Sequence, residues 1–381
     1  MPITATHRAI VRHGTTCRIE EVPTPDPGEG ELLLAPEHVS LCGTDIQILR
    51  GDRDDPSSVV GHEGAARIVA AGPGTDGFAP GDRVFVNPTH PGDPSFLLGH
   101  NVPGLFQQRV LIGASAVRGG LVSSLPEDLP AARATLVEPY AVVRYALFCL
   151  ATSAPDTLVV RGDGLTGNLA ALLAPRFLFP TVRVVVVHRT EAGLEWTQAH
   201  VPHAVSVLAD DPLAPQVTGS VALLVTTHRG GTVPAVEATL TALGERVVAI
   251  HPLGGVPPRA TTSLLPGVDL DGVRRANTGG PWPPATTTFT RPGPSVTLSG
   301  NRGVSNLQLL AAAEAPCAPT APPTRPHPRH GPGTRRPAPQ PDHRRPHPHR
   351  RRRTGRPPGH HPGQRPRPPA RTATAGVRLG A

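Results

Sequence analysis

Cys42-Gly-Thr-Asp45 and Gly61-His-Glu63 place a thiol, an imidazole and carboxylates close together in the first third of the chain. These are the donor types that hold zinc. A catalytic zinc takes three protein ligands of the Cys, His and carboxylate kinds and keeps a fourth position open for water or substrate. Cys42 and His62 supply two of them, and the third has to come from Glu63 or from later in the chain. Glu138, in Leu136-Val-Glu-Pro-Tyr140, is the later candidate, because an unpaired carboxylate inside an apolar stretch is costly. A lone Cys is more often a small buried hydrophobe, so the weight lies on the combination. A cation held there would act as a Lewis acid, bringing an alcohol's pKa toward neutrality and preparing it to give up hydride.

A second constellation implies the hydride acceptor. Residues 157–161 are apolar and run into Gly162-Asp-Gly164-Leu165-Thr166-Gly167, followed by a helical pattern over 165–174. In a strand-turn-helix context the first Gly permits the turn and the second admits the pyrophosphate. The third packs helix on strand, and the helix N-terminus faces the anion. NAD enzymes place an acid about twenty residues further on, at the end of the next strand, to bind the ribose hydroxyls. Here that strand ends in His188-Arg189-Thr190. Arg189 could face a 2′-phosphate, and with no carboxylate to repel it the expectation leans to NADP.

The elements that must position these residues fall into two textures. Residues 1–150 carry short β-like stretches broken by Gly and Pro, at 31–35, 65–70, 83–86 and 107–112, which reads as a strand-dominated barrel. From Thr157 the pattern alternates: strand 157–161, helix 165–174, strand 182–188, strand 221–226, helix 233–243, strand 246–250. That is the order of a parallel α/β sheet. Residues 269–294 carry no assignable pattern, 296–299 reads as a strand, and a helix starting at Leu307 is cut short by Pro316.

Charge divides the chain again. Residues 316–381 hold 15 of the 37 basic residues, one of the 29 acids, 18 of the 49 Pro and 7 of the 18 His. The segment therefore carries about +14 and the rest about −6, so the high pI of 10.6 belongs to the tail. Lacking apolar residues and rich in Pro, it is expected to be disordered. Every basic residue is Arg, the bias of a GC-rich gene. The start shows no basic-then-apolar leader and no apolar run approaches a membrane span, so a cytoplasmic protein is expected. Four widely spaced cysteines argue against a disulfide framework.

The ordered set Cys-Gly-Thr-Asp (42–45), Gly-His-Glu (61–63), Gly-Asp-Arg-Val (81–84), Val-Glu-Pro (137–139) and G-x-G-x-x-G (162–167) resembles the medium-chain zinc dehydrogenases, on the sorbitol and threonine dehydrogenase side. The resemblance covers residues 1 to about 315. It implies a β-rich GroES-like zinc catalytic domain over 1–150, a doubly wound Rossmann domain over 151–292, and a truncated return to the catalytic domain over 293–315. By it Cys42 and His62 are zinc ligands, and Glu63 and Glu138 are ligands or stand just behind them. Thr44 relays the substrate proton, and Asp45 orients the site. Cofactor contacts fall to Gly162, Gly164, Leu165, Thr166, Gly167, His188 and Arg189.

The expected activity is hydride transfer between a secondary alcohol (polyol, sugar or cyclitol-like) and NAD(P) with one catalytic Zn²⁺, in a homo-oligomer that uses no membrane. The alternatives are a zinc-free reductase of the same fold and an inactive, C-terminally frame-shifted product. Three departures stand out. Gln47 replaces the His that often follows the Cys by five residues. Residues 85–108 contain no Cys, so the second, structural zinc is absent, and His90 and His100 in that insert read as solvated. The tail breaks the family pattern, favouring a frame shift near Ala315 over a nucleic-acid arm, which would lack aromatic residues for stacking.

Overall fold

The computed structural model describes residues 4–315. The Arg-rich segment, with the disorder, frame-shift and nucleic-acid readings attached to it, lies outside the described residues. The chain opens with an antiparallel hairpin, β1 (Thr6–His13) and β2 (Thr16–Pro23). A five-stranded antiparallel sheet follows. It comprises β3 (Leu32–Ser40), β4 (Glu63–Ala71), β5 (Arg83–Val86), β6 (Val110–Ile112) and β7 (Val122–Ser124), in the order β6-β3-β4-β5-β7. Leu32, Leu34, Val39, Ala66, Ile68, Val84 and Ile112 form its core. Two short helices attach to it, α1 (Gly43–Leu49) directly after β3 and α2 (Ala114–Arg118) between β6 and β7.

The crossing to the second sheet is helical. Residues 131–151 form α3 (Ala131–Ala134) and α4 (Val137–Ala151), where the sequence reading had only strands and an apolar stretch. Pro139 sits in the first turn of α4, where its missing N–H would have no intrahelical partner anyway. Residues 131–151 are also long and apolar enough to cross a membrane, contrary to expectation, but 72% of that window is buried inside the protein. A helix apolar all round is a core helix.

The seven-stranded sheet comprises β8 (Thr157–Arg161), β9 (Arg183–His188), β10 (Val205–Leu208), β11 (Val221–Val225), β12 (Val247–Pro252), β13 (Thr287–Phe289) and β14 (Val296–Leu298). Its order is β10-β9-β8-β11-β12-β14-β13, parallel throughout except for the β13–β14 edge. Helices α5 (Leu165–Phe177), α6 (Glu191–His200), α7 (Thr232–Leu243), α8 (Leu270–Arg275) and α9 (Asn306–Ala313) complete the unit. Alternation along each strand sorts side chains onto two faces. Leu158, Val160, Val184 and Leu224 pack with α4, α5 and α9, whereas Val159, Val185 and Leu223 pack with α7 and α8. Both faces are covered, which explains why β8 and β11 are buried at every position.

The segment expected to return to the first domain is divided. Val296 and Leu298 have no exposed surface and extend the parallel sheet, Ala249 pairing with Thr297 and Ile250 with Leu298, so the sheet continues past the expected boundary at 292. Only beyond residue 300 does the chain come back. There the Asn87 side-chain amide donates to the Val304 carbonyl at 3.0 Å and to Asn306 Oδ1 at 2.8 Å, and α9 packs on α4. Asn87 is buried, and its Oδ1 also accepts from the Thr89 N–H. Asn87→Ala should cost about 1–3 kcal/mol, the range for orphaning buried polar groups. Chemical denaturation checks this, and a midpoint within error of wild type would show that the junction does not depend on Asn87.

Candidate active site

Strand β3 ends by pairing Ser40 with Glu63 at the start of β4, which brings the two motifs together although twenty residues separate them. Cys42 is the N-cap of α1, and Asp45 stands at its third helical position. The Asp45 carboxylate accepts from the Cys42 N–H at 2.9 Å and the Gly61 N–H at 3.2 Å, and lies 3.6 Å from His62 Nδ1. Cys42 Sγ, a His62 nitrogen and a Glu63 oxygen fall within 4.8 Å of one another. Thr44 Oγ1 is 3.5 Å from His62 Nε2, and Ser40 Oγ donates to Glu63 Oε2 at 2.6 Å.

The electrostatics of this cluster call for a positive charge. Burial, then the neighbouring Glu63, raise the Cys42 thiol; burial also raises Glu63. Burial, and after it Glu63, push Glu138 in the first turn of α4 up to about 7. Burial disfavours the His62 imidazolium, yet Asp45 and Cys42 outweigh it and hold the ring well above its usual value. Burial likewise works against the Asp45 carboxylate, but His62 and the two backbone N–H groups keep its pKa low. A soft thiolate, an imidazole and a carboxylate at this spacing suit Zn²⁺. Glu138 stands beside the set and outside the 4.8 Å group.

Two features of the surroundings escaped sequence reasoning. His100 is 5% exposed rather than solvated, and its ring centroid lies 5.0 Å from that of His62. Its Nδ1 is 3.3 Å from Asp55 Oδ1, and Asp55 in turn binds Arg53. Nothing in a loop histidine's sequence neighbourhood signals such burial. His90 instead makes local loop contacts, with Nε2 3.3 Å from the Ser115 carbonyl. Gln47, in the place of the relay histidine, accepts from the Arg229 N–H at 3.2 Å and so ties α1 to the parallel sheet.

At the other end of the crevice, Gly162 closes the β8–α5 turn at φ +110°, and a Cβ there would press on Thr226. A Cβ on Gly167 would run into the Gly162 carbonyl, so the helix can approach the strand only without one. Gly164 caps α5, and Leu165 and Thr166 form its first turn. His188 has no exposed surface; its Nδ1 is 3.0 Å from Asp163 Oδ2 and its Nε2 has no partner. Arg189 beside it is exposed. The corner thus holds a carboxylate, contrary to the sequence reading: it comes from inside the glycine motif, on the neighbouring strand's turn. The acid in Gly-Asp-Gly was the available signal.

An antiparallel β-domain carrying a Cys-His-Glu cluster is followed by a parallel sheet with a glycine-rich first turn. Residues 28–119 match the alcohol dehydrogenase GroES-like domain family. The chain is 26% identical over 210 residues to sorbitol dehydrogenase of Bombyx mori and 29% over 217 residues to that of Bacillus subtilis, in each case covering 51% of this chain and 60% of the relative. The fold matches galactitol-1-phosphate dehydrogenase of Escherichia coli with a TM-score of 0.59 at 19% identity, over 81% of this chain and 87% of that one. Over residues 28–119 the chain matches the GroES-like domain of alcohol dehydrogenases, and the curated relatives it resembles include sorbitol dehydrogenases. It spans three-fifths of the length of each of these two sorbitol dehydrogenases and half that of a zinc-type alcohol dehydrogenase-like protein of Haemophilus influenzae.

The raised Glu138 pKa fixes a sign. A carboxyl with a folded pKa near 7 against 4.5 binds its proton more tightly when folded. Its contribution is present below 4.5 and lost as pH rises through about 7. In metal-stripped protein, stability should therefore fall across that window, and Glu138→Gln should flatten the fall. Denaturant midpoints against pH read this directly. A slope identical in the variant would show Glu138 ionised and paired.

Proposed function

We propose that the chain is a zinc-dependent oxidoreductase that moves hydride between a secondary alcohol of the polyol, sugar or cyclitol class and a nicotinamide dinucleotide. The observation that carries this reading is the convergence of Cys42, His62 and Glu63 within 4.8 Å, with Asp45 behind the imidazole. Cys42 and His62 would hold the metal, with Glu63 completing the set and Glu138 as its alternate or neighbour. When bound, Zn²⁺ supplies Lewis-acid polarisation of the substrate oxygen. Asp45 lies 3.6 Å from His62 Nδ1, outside hydrogen-bond distance, and would orient the ring through its charge. The Thr44 hydroxyl, 3.5 Å from Nε2, is placed to take the substrate proton and pass it to water, because Gln47 cannot carry it further. Gly162, Gly164, Leu165, Thr166 and Gly167 would seat the pyrophosphate at the α5 N-terminus. The exposed apolar side chains of Phe148, Trp282 and Leu307 support self-association.

Purified protein should hold one zinc per chain by elemental analysis and lose it in a Cys42→Ala, His62→Ala double variant. Full zinc occupancy in that variant would remove the assignment, and zinc-free wild type with full activity would favour a metal-independent reductase.

The lean to NADP rested on a corner without a carboxylate. With Asp163 3.0 Å from His188 at the end of β9, support moves toward NAD, and Arg189 becomes the counterweight. Fluorescence titration should find NADH bound more tightly than NADPH, and Asp163→Ser should narrow the gap by on the order of tenfold, the size of one hydrogen bond to a charged group. Tighter NADPH binding by wild type would return the corner to Arg189.

A further inference from the structure

Arg53, Arg229, Arg274 and Arg302 come from four separate segments and lie near enough to act on one another's charge, Arg229 lying beside Gly255 and Arg274 beside Gly300. Arg53 follows α1, binds Asp55 through Nε at 2.7 Å and Nη2 at 3.0 Å, and has Nη2 3.4 Å from His100 Nδ1. His100 in turn stands against His62. Arg229 follows β11; its backbone N–H reaches Gln47 on α1, and its side-chain Nε is buried with no hydrogen-bond partner. Arg274 on α8 donates its Nε to the Leu253 carbonyl just past β12, at 3.4 Å. Arg302 follows β14, where its carbonyl accepts from the Gly279 N–H.

The carboxylates near this group are already engaged. Asp55 serves Arg53 and His100, and Asp271 is 3.0 Å from Arg275 Nε. Among the described residues no carboxylate pairs with Arg229, Arg274 or Arg302. Burial, and after it the charges of Arg302 and Arg53, bring Arg274 down to about 10. Asp55 and Asp271 act on this group from nearby but are outnumbered by it; cations with too few counterions cost folding free energy, and the cost is offset when a further anion sits among them. Strand C-termini are also where open parallel sheets bind ligands.

We propose that Arg229 and Arg274 form an anion subsite for the substrate, so that the crevice takes an alcohol bearing a phosphate or carboxylate group. The word substrate rests on the dehydrogenase reading above; the subsite itself does not. Guanidinium forks match the paired oxygens of either anion, and the hydroxyl-bearing carbon would lie toward Cys42 and His62. The other phosphate source is the cofactor's own pyrophosphate, for which the Gly162–Gly167 turn provides a separate seat.

The test titrates full-length wild type, Arg229→Gln and Arg274→Gln with inorganic phosphate by calorimetry at constant ionic strength, with and without saturating NADH. The Arg-rich residues 316–381 are common to all three proteins, so the difference between them reports the crevice. Phosphate should bind about tenfold more weakly to either variant, the size of a charge-assisted hydrogen bond, and NADH should not displace it from wild type. NADH affinity should be unchanged in the variants. Displacement by NADH, or a parallel loss of NADH affinity, would assign the arginines to the cofactor and overturn the proposal, as would equal phosphate affinity in all three proteins. Arg229→Lys keeps the charge and should recover most of the binding, which separates a lost anion contact from a misfolded variant. In turnover, sorbitol 6-phosphate should be preferred to sorbitol by wild type and not by Arg229→Gln; equal preference in both overturns the proposal. Absence of any NADH binding by wild type would sink the dehydrogenase reading and leave the phosphate comparison to judge the subsite.

Discussion

Asp45 has no exposed surface, and every group it meets belongs to one of the two segments that supply the cluster: the N–H of Cys42, the N–H of Gly61 and the ring of His62. A carboxylate taken wholly out of water is tolerated only when its oxygens are satisfied, so burial of Asp45 and the shape of the site impose each other. The first turn of α1 and the strand entering β4 cannot drift apart without stranding that charge. A thiol on a helix cap and an imidazole on a strand end thereby stay within ligand distance in a region that is otherwise loop.

That joint also explains why the cluster needs the second sheet. Glu63 and Glu138 come from β4 and from α4, and α4 packs against α5 and α9 while sharing a core with Ala65 and Phe85 of the first sheet. The helix that carries Glu138 is therefore part of the hydrophobic core joining both sheets. Its carboxyl cannot swing away to water as a loop residue would, and the proximity of Glu63 and the raised pKa follow from that packing.

The parallel sheet was readable because strands covered on both faces are near-continuous runs of Val and Leu, and 157–161, 183–188 and 221–225 are such runs. The metal motifs were readable because their residue types are rare in combination. What escaped was whatever tertiary context decides. The helix over Val137–Ala151 escaped, because an apolar run buried all round shows no period. Val296–Leu298 reads as a strand, but its place between β12 and β13 in the second sheet is not encoded locally. Asp163 faces His188 across the gap between two strands, a contact that residue spacing does not encode. His100 is dry because Asp55 and His62 surround it, and only the fold brings Asp55 there.

The two walls of the crevice differ in sign for a reason that lies in the sheet. The antiparallel domain contributes the acids Asp45 and Glu63 together with the thiol, groups that suit a cation and, on their own, repel an anionic substrate. Arg229 and Arg302 follow β11 and β14, and Arg274 lies on α8. A neutral polyol would gain nothing from those guanidinium groups, since its hydroxyls could be held by neutral donors without the cost of crowding like charges. An anionic alcohol would use both walls at once, its charge drawn to the arginines and its hydroxyl to the metal set. Such a substrate would be oriented before chemistry begins, and field focusing between low-dielectric walls would strengthen that preference.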